Sequence, residues 1–334
     1  MFPIATIKQI AKQCGVSTAT VSKVFNGYSD VGEQTARAVR EAAESLGYFP
    51  NAAARALKTS RAYNLGVLYI DQMQHEFFSQ ILESFKRQAE RQGYDITFIS
   101  RNIGGRLMSY LDHCRYRGCD GMLITCVDFT DPLVSALAGS GIPIVSIDHV
   151  FGNSSSVLSD NVTGMQELVT HLYERGHRKI AYIRGENYDV THRRMAGFHR
   201  ACRSLKFNVP AMYLVQAGYQ NPEKSAAATR QLLELDDRPT CILYPDDFSY
   251  IGGLNELERA GLRVPLDISA AGYDGTHLSQ VMRPRLTTVK QDTAAIGSTA
   301  AELLIRAIEN PETDVPEQVI VSGHLLLGET VSAI

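Results

Sequence analysis

Seven consecutive residues near the N-terminus, Ser17-Thr18-Ala19-Thr20-Val21-Ser22-Lys23, carry chemistry suited to reading nucleic acid. On a helix, Val21 and Val24 turn toward a core and leave small hydroxyl side chains, an alanine and a lysine outward. Small residues let a helix enter the major groove closely, and hydroxyls and an ammonium reach phosphates and base edges. A solvated helix of no special purpose uses similar residues, so the surroundings decide. Gly15 supplies a tight turn before the row, and a short basic stretch at 51–61 follows it.

Little else in the chain suggests a reaction. There is no Gly-x-Ser-x-Gly elbow, no Gly-x-x-x-x-Gly-Lys-Ser/Thr loop, no His-Glu-x-x-His and no dinucleotide fingerprint after the first strand. The nine histidines are scattered; His171 and His177 are near each other but lack nearby cysteine ligands. Cys114 and Cys119 have four residues between them, and no second pair completes a zinc spacing. The six cysteines therefore read as reduced thiols. Gly104-Gly105 and Gly252-Gly253 read as turn or packing glycines. No catalytic residue, metal or cofactor is expected.

The row at 17–23 needs a rigid support. Thr6 is a good N-cap, with Ile7, Ile10 and Ala11 at the spacing of a buried face. Ser17 caps a second helix over 18–26, which Gly27 stops. A third covers 33–46, with Ala36, Val39, Ala43 and Leu46 inward and Gly47 at its end. Two helices joined by a tight turn and braced by a third make a helix-turn-helix. Residues 1–61 hold eight Lys/Arg against four Asp/Glu, net +4, against −7 for the rest of a chain whose total is −3. A small basic head thus sits on an acidic body. The stretch at 51–61 is too short to be a stable helix alone and becomes helical only when something packs against it.

From residue 64 the texture changes. Apolar runs at 65–70, 96–99, 122–126, 144–147, 180–183, 212–215, 241–244, 268–271 and 286–289 alternate with amphipathic stretches at 77–92, 164–175, 194–205, 225–235 and 247–260. Such alternation predicts parallel sheets covered on both faces, arranged as two Rossmann-like lobes. Ligands of such sheets sit beyond the carboxyl ends of the strands. The composition, 44% hydrophobic and 21% charged, excludes disordered and fibrous classes. No apolar stretch approaches ~18 residues and no signal-peptide core opens the chain, so a soluble, cytoplasmic protein is expected.

The sequence resembles the lactose-repressor (LacI/GalR) family of bacterial transcription regulators. The matching residues are Thr6 to Ala11, Gly15 to Gly27, Leu46-Gly47-Tyr48 and Asn51 to Lys58 in the head. In the body they are Arg175-Gly176-His177, Met195-Ala196-Gly197-Phe198, Gly261 to Pro265, Gly272-Tyr273-Asp274 and Leu286 to Val289. The resemblance implies a helix-turn-helix DNA-binding domain at 1–48, a hinge helix at 49–61 and a periplasmic-binding-protein-like core at 62–334. The core's N-lobe would cover about 62–160 and 292–322, and its C-lobe about 161–291 and 323–334. It also implies a homodimer on palindromic operator DNA. Thr18, Ala19 and Lys23 would face bases, while Ser17, Thr20, Ser22 and Asn26 hold phosphates; Thr6 and Asn51 join the DNA-contacting set. Leu57 would wedge into the minor groove at a central pyrimidine–purine step, with Arg55 and Lys58 alongside, because an apolar wedge bends a flexible step.

The family's effector lies between the lobes. Carried onto this chain, its contacts are His75, Phe77 and Phe78 after the first strand, Asp128 and Asp148 at later strand ends, and His192 and Arg194 in Thr191-His192-Arg193-Arg194. Tyr219, Asp246, Asp274 and Gln291 complete the set. His75-Glu76 replaces a usual Asn-Pro, and Asp246-Asp247 a usual Asn-Asp. Carboxylates, an amide and aromatic faces suit a polyhydroxylated neutral sugar, with a purine-like or a protein corepressor as the alternatives. No leucine-heptad tail for a tetramer is seen.

Overall fold

The computed structural model describes residues 5–25, 28–48, 61–69 and 76–334. The chain divides into two compact units, Met1–Tyr63 and Asn64–Ile334.

The first unit holds helices α1 (Ile7–Cys14), α2 (Thr18–Phe25) and α3 (Glu33–Ser45). Thr6 opens α1, its backbone N–H donating to Gln9 Oε1 at 2.7 Å. Gly15 ends it in the left-handed conformation, φ 64°, which costs a residue without Cβ nothing. Ser17 Oγ accepts from the Thr20 N–H at 3.0 Å and so caps α2. Ile10, Ala11, Val21, Val24, Val39, Ala42 and Ala43 form the core, flanked by Ile7, Val16 and Phe25. Leu46 is a correction to the inward set. It lies beyond the last turn of α3 and is 37% exposed, while Ala42 packs inside.

The second unit contains two six-stranded sheets. The N-lobe sheet runs in the order β13 (Gln318–Val321), β7 (Ser155–Ser159), β6 (Ile144–Ile147), β5 (Gly121–Ile124), β1 (Asn64–Leu68), β2 (Asp95–Ile99), all parallel. The C-lobe sheet runs β14 (His324–Leu326), β12 (Thr287–Lys290), β11 (Ser269–Asp274), β10 (Cys241–Leu243), β8 (Ile180–Arg184), β9 (Leu214–Gln216), parallel except for the β12–β14 pair. A short hairpin, β3 (Asn102–Ile103) with β4 (Arg106–Leu107), stands apart. Helices α4 (Glu76–Arg91), α5 (Tyr110–Arg117), α6 (Pro132–Ala138) and α12 (Thr293–Glu309) belong to the N-lobe. Helices α7 (Asn161–Glu174), α8 (Asp189–Ser204), α9 (Pro222–Leu233), α10 (Asp247–Arg259) and α11 (His277–Val281) belong to the C-lobe.

The chain passes between the lobes three times, after β7, after β12 and after β13. Apolar clusters fill both faces of the C-lobe sheet, around Ile183, Leu232 and Leu257 on one side and Leu168, Tyr182 and Phe198 on the other. At Gly297, an added Cβ would lie 2.3 Å from the carbonyl oxygen of Ile81, so α12 and α4 pack backbone to backbone. Among the described residues no helix is long and apolar enough to cross a membrane.

Candidate functional site

In the first unit, Ser17, Thr18 and Ala19 are exposed, and Thr20, Ser22 and Lys23 are half-buried. This follows from Val21 and Val24 filling the core side. The Lys23 ammonium pairs with Asp30, which holds it at the helix surface. Asn26, Asn51, Arg55, Leu57 and Lys58 lie outside the described residues, as does His75.

In the second unit a cavity of about 520 Å³ opens between the lobes, at the carboxyl ends of the strands. Of the residues expected to contact an effector, Phe77, Asp128, Asp148, Arg194, Tyr219, Asp274 and Gln291 line it. Three do not. Phe78 is fully buried with its ring stacked on Tyr69 at 3.6 Å, because adjacent residues on α4 cannot both face the cavity. His192 is exposed on α8 and bonds Asn187 Oδ1 at 2.8 Å. Asp246 is the N-cap of α10; its carboxylate accepts from the Ser249 N–H (2.7 Å), the Ser249 hydroxyl (2.9 Å) and the Gln220 N–H (2.8 Å). Its carboxylate is held by donors of the fold itself and does not line the cavity.

Arg194 is the structural centre of the cavity floor. It is 3% exposed, and its Nε donates to Asn161 Oδ1 and its Nη1 to the Pro245 carbonyl, both at 2.7 Å. Nη2 lies 3.5 Å from Asp274 Oδ1, and the guanidinium sits 3.6 Å from the centre of the Tyr273 ring. One side chain thus ties the start of α7 to the ends of β10 and β11. Gln291 Nε2 donates to Asp274 Oδ1 at 2.7 Å, and Gln291 Oε1 is buried with no partner among the described residues. Burial pushes the Asp274 carboxyl up to about 6, and the Arg194 charge restrains the rise. Burial also raises the Asp148 carboxyl, although its Oδ1 accepts from the Ser159 N–H at 2.8 Å. The ring of Tyr219 lies across Gly185, where an added Cβ would come within 2.1 Å of it.

Several lining residues escaped sequence reasoning, among them Thr125, Phe129, His149, Glu186 and Asp189. All follow β5, β6 or β8, so the strand-end rule was the signal that pointed to them. His149 Nδ1 meets Asp189 Oδ2 at 2.9 Å across the cleft, and its ring stacks on Phe129 at 4.2 Å. A second bridge joins the lobes where the His277 N–H donates to Glu76 Oε1 at 2.6 Å. Cys126 (φ 49°), Asp148 (φ 58°) and Asp274 (φ 107°) hold left-handed backbone at three strand ends, a strain that concentrates at binding sites.

Next to the cavity, Asp247 accepts from the hydroxyl of Thr288 (2.6 Å) and from the N–H and hydroxyl of Thr276 (2.7 and 3.1 Å). Burial pushes its carboxyl up to about 8. An acid whose folded-state value lies above its unfolded value stabilises the fold at low pH and loses that contribution as pH rises through the folded value. Asp247→Asn is therefore expected to flatten the fall in melting temperature that this group imposes between about pH 4 and 8. Identical pH profiles for wild type and variant would contradict this.

A helix-turn-helix unit joined to a two-lobed α/β core with an interlobe cavity defines a ligand-responsive DNA-binding regulator. Comparison with known proteins gives the family. Residues 6–51 match the lacI family of bacterial regulatory proteins, and residues 169–331 match a periplasmic binding protein-like domain. The HTH-type transcriptional repressor PurR of Mannheimia succiniciproducens is 31% identical over 336 residues, covering 99% of this chain and all of that one. Among solved structures, the lac repressor dimer bound to operator and the anti-inducer ONPF superposes with a TM-score of 0.79 at 25% identity, covering 99% of this chain and 100% of that one. The transcriptional regulator CelR–cellobiose complex gives 0.73 at 26% identity, covering 98% and 99%. The chain belongs to the lacI family of bacterial regulatory proteins and is a DNA-binding transcriptional repressor, not an enzyme.

Proposed function

We propose that this repressor acts as a homodimer on a palindromic operator and that a sugar held between the lobes sets its operator affinity. The observation that carries the sugar is the acceptor count. Asp128, Asp148, Glu186, Asp189 and Asp274 each keep one carboxylate oxygen that no donor of a described residue reaches, and Gln291 Oε1 is unpartnered. A ring dense in hydroxyl donors answers six acceptors, whereas a purine base offers few N–H groups. The likeness to a regulator solved with cellobiose supports the same reading. A purine-like corepressor is the second reading, favoured by the likeness to PurR repressors.

A sugar that prefers one lobe orientation shifts the population toward it, and the hinge segments at 49–61 transmit the shift. A coupling of ~1–3 kcal/mol changes operator affinity about 5- to 150-fold. The test is a thermal-shift screen with sugars and purine bases. A ligand at ~100 times its dissociation constant adds ~2.7 kcal/mol to the folded state. A sugar that stabilises the protein and alters operator retention supports the reading, and a purine that does so in its place overturns it.

The proposed DNA contacts are those of the row at 17–23 with Thr6, Asn26 and Asn51, and Leu57 is the proposed minor-groove wedge. Leu57→Ala is expected to weaken specific operator binding by ~10-fold or more, since a single unstacked step involves a few kcal/mol, while nonspecific binding barely changes. Equal losses in gel-shift titrations of operator and random DNA would remove the wedge. On this reading it works in the cytoplasm, at the nucleoid when bound to its operator.

A further inference from the structure

The charge of the cavity wall is lopsided. Asp128 and Asp148 line it from the N-lobe, and Glu186, Asp189 and Asp274 from the C-lobe. Arg194 is the one Lys or Arg among the described lining residues. Its guanidinium is already committed to Asp274, Asn161, the Pro245 carbonyl and the Tyr273 ring. Asp189 has His149 as a partner; Asp128, Asp148 and Glu186 have only neutral donors, from Thr130, Ser159 and Tyr219. A neutral polyol can donate to these oxygens, but closing the lobes over it would still draw five carboxylates out of water against Arg194 and, beside Asp148, Arg193.

We propose that the cavity takes a hydroxylated ligand that also carries a protonated amine, an amino sugar or a compound of that chemistry, and rejects phosphorylated and carboxylated ones. The inference rests on reading the cavity as the effector site. An ammonium supplies up to three charge-assisted donors, each stronger than a hydroxyl's, to acceptors that both walls present. The rings of Phe77 and Phe129 from the N-lobe and of Tyr219 from the C-lobe line the cavity, and aromatic rings suit a cation as well as a sugar face. Burial raises the Asp274 carboxyl, and the charge of Asp148 across the cavity adds to the rise. An anionic ligand meets repulsion from both lobes.

The test uses the full-length protein and matched ligands in calorimetry and thermal shift: glucose, glucosamine and glucose 6-phosphate; galactose and galactosamine; mannose and mannosamine; hypoxanthine and guanine. At about pH 7.5 at least one amino sugar is expected to bind about tenfold or more tightly than its neutral parent, with no binding of the phosphate. Glu186→Gln and Asp128→Asn, which keep an acceptor oxygen, are expected to shrink the ratio of amine to neutral affinity. A neutral sugar that equals or beats its amine, or a phosphate that binds, overturns the inference and leaves the sugar site standing. A purine that binds where every sugar fails overturns both. Silence of all the amines also overturns the inference.

Discussion

Arg194→Ala is expected to abolish the change in operator affinity that effector produces and to lower the stability of the core by about 3 kcal/mol. The variant removes one partner of a buried pair, for which losses of about 3–5 kcal/mol are usual. The Asp274 carboxyl, already pushed up to about 6, can take a proton once the guanidinium is gone, which places the loss at the low end. Asn161 Oδ1 and the Pro245 carbonyl lose their donors at the same time. The functional effect is separable from the structural one. Below the variant's melting temperature the first unit keeps its own core, so operator binding persists while the response disappears. A variant that still responds would take Arg194 out of the effector site.

Gly252→Ala is expected to cost about 3 kcal/mol or more, for one methyl group. An added Cβ at residue 252 would lie 1.8 Å from the carbonyl oxygen of Pro222 and 2.4 Å from its carbonyl carbon. Both neighbours are backbone at the start of α9, pressed onto α10, so no side chain can swing aside. At Gly253 the obstacle is the ring of Tyr244, 2.1 Å away, which is itself buried. Urea unfolding of the variant should show a lower midpoint; a loss under about 1 kcal/mol would mean that the two helices slide apart easily.

The glycine pair illustrates what the sequence disclosed. Gly252-Gly253 read as turn or packing glycines within the helical stretch at 247–260, but the sequence did not show which neighbour demands them, because the Pro222 carbonyl lies on another helix. The Val-, Ile- and Leu-rich strands stood out, whereas β7 did not. Its Ser155-Ser156-Val157-Leu158-Ser159 is buried throughout, yet three of its five residues are hydroxylic. The helix α12 is buried on most sides, which blurs the polar–apolar alternation that marks an amphipathic helix.

The same distinction runs through the cavity. Asp148, placed at a strand end by the change from apolar to polar residues, and Asp274, placed by the family resemblance at Gly272-Tyr273-Asp274, both line the cavity. Asp246 caps a helix and does not line the cavity, a difference the sequence does not show, since a carboxylate that caps a helix looks the same in one dimension as one that binds a ligand. The bridge between His149 and Asp189 joins residues 40 positions apart on opposite lobes, and no spacing rule connects them.

The triple passage of the chain between the lobes shapes how the protein is made. On the ribosome, β7 emerges about 160 residues before β13, the strand that completes its sheet. At ~5–20 residues per second this leaves the outer edge of β7 unpaired for roughly 8–30 s. An open edge of that kind is a template for pairing with another nascent chain. Synthesis speed downstream of β7 and chaperone supply should therefore govern yield more than the stability of the finished fold does. Circular permutation that opens the chain just before 318–321 would deliver β13 ahead of β7 and remove that interval.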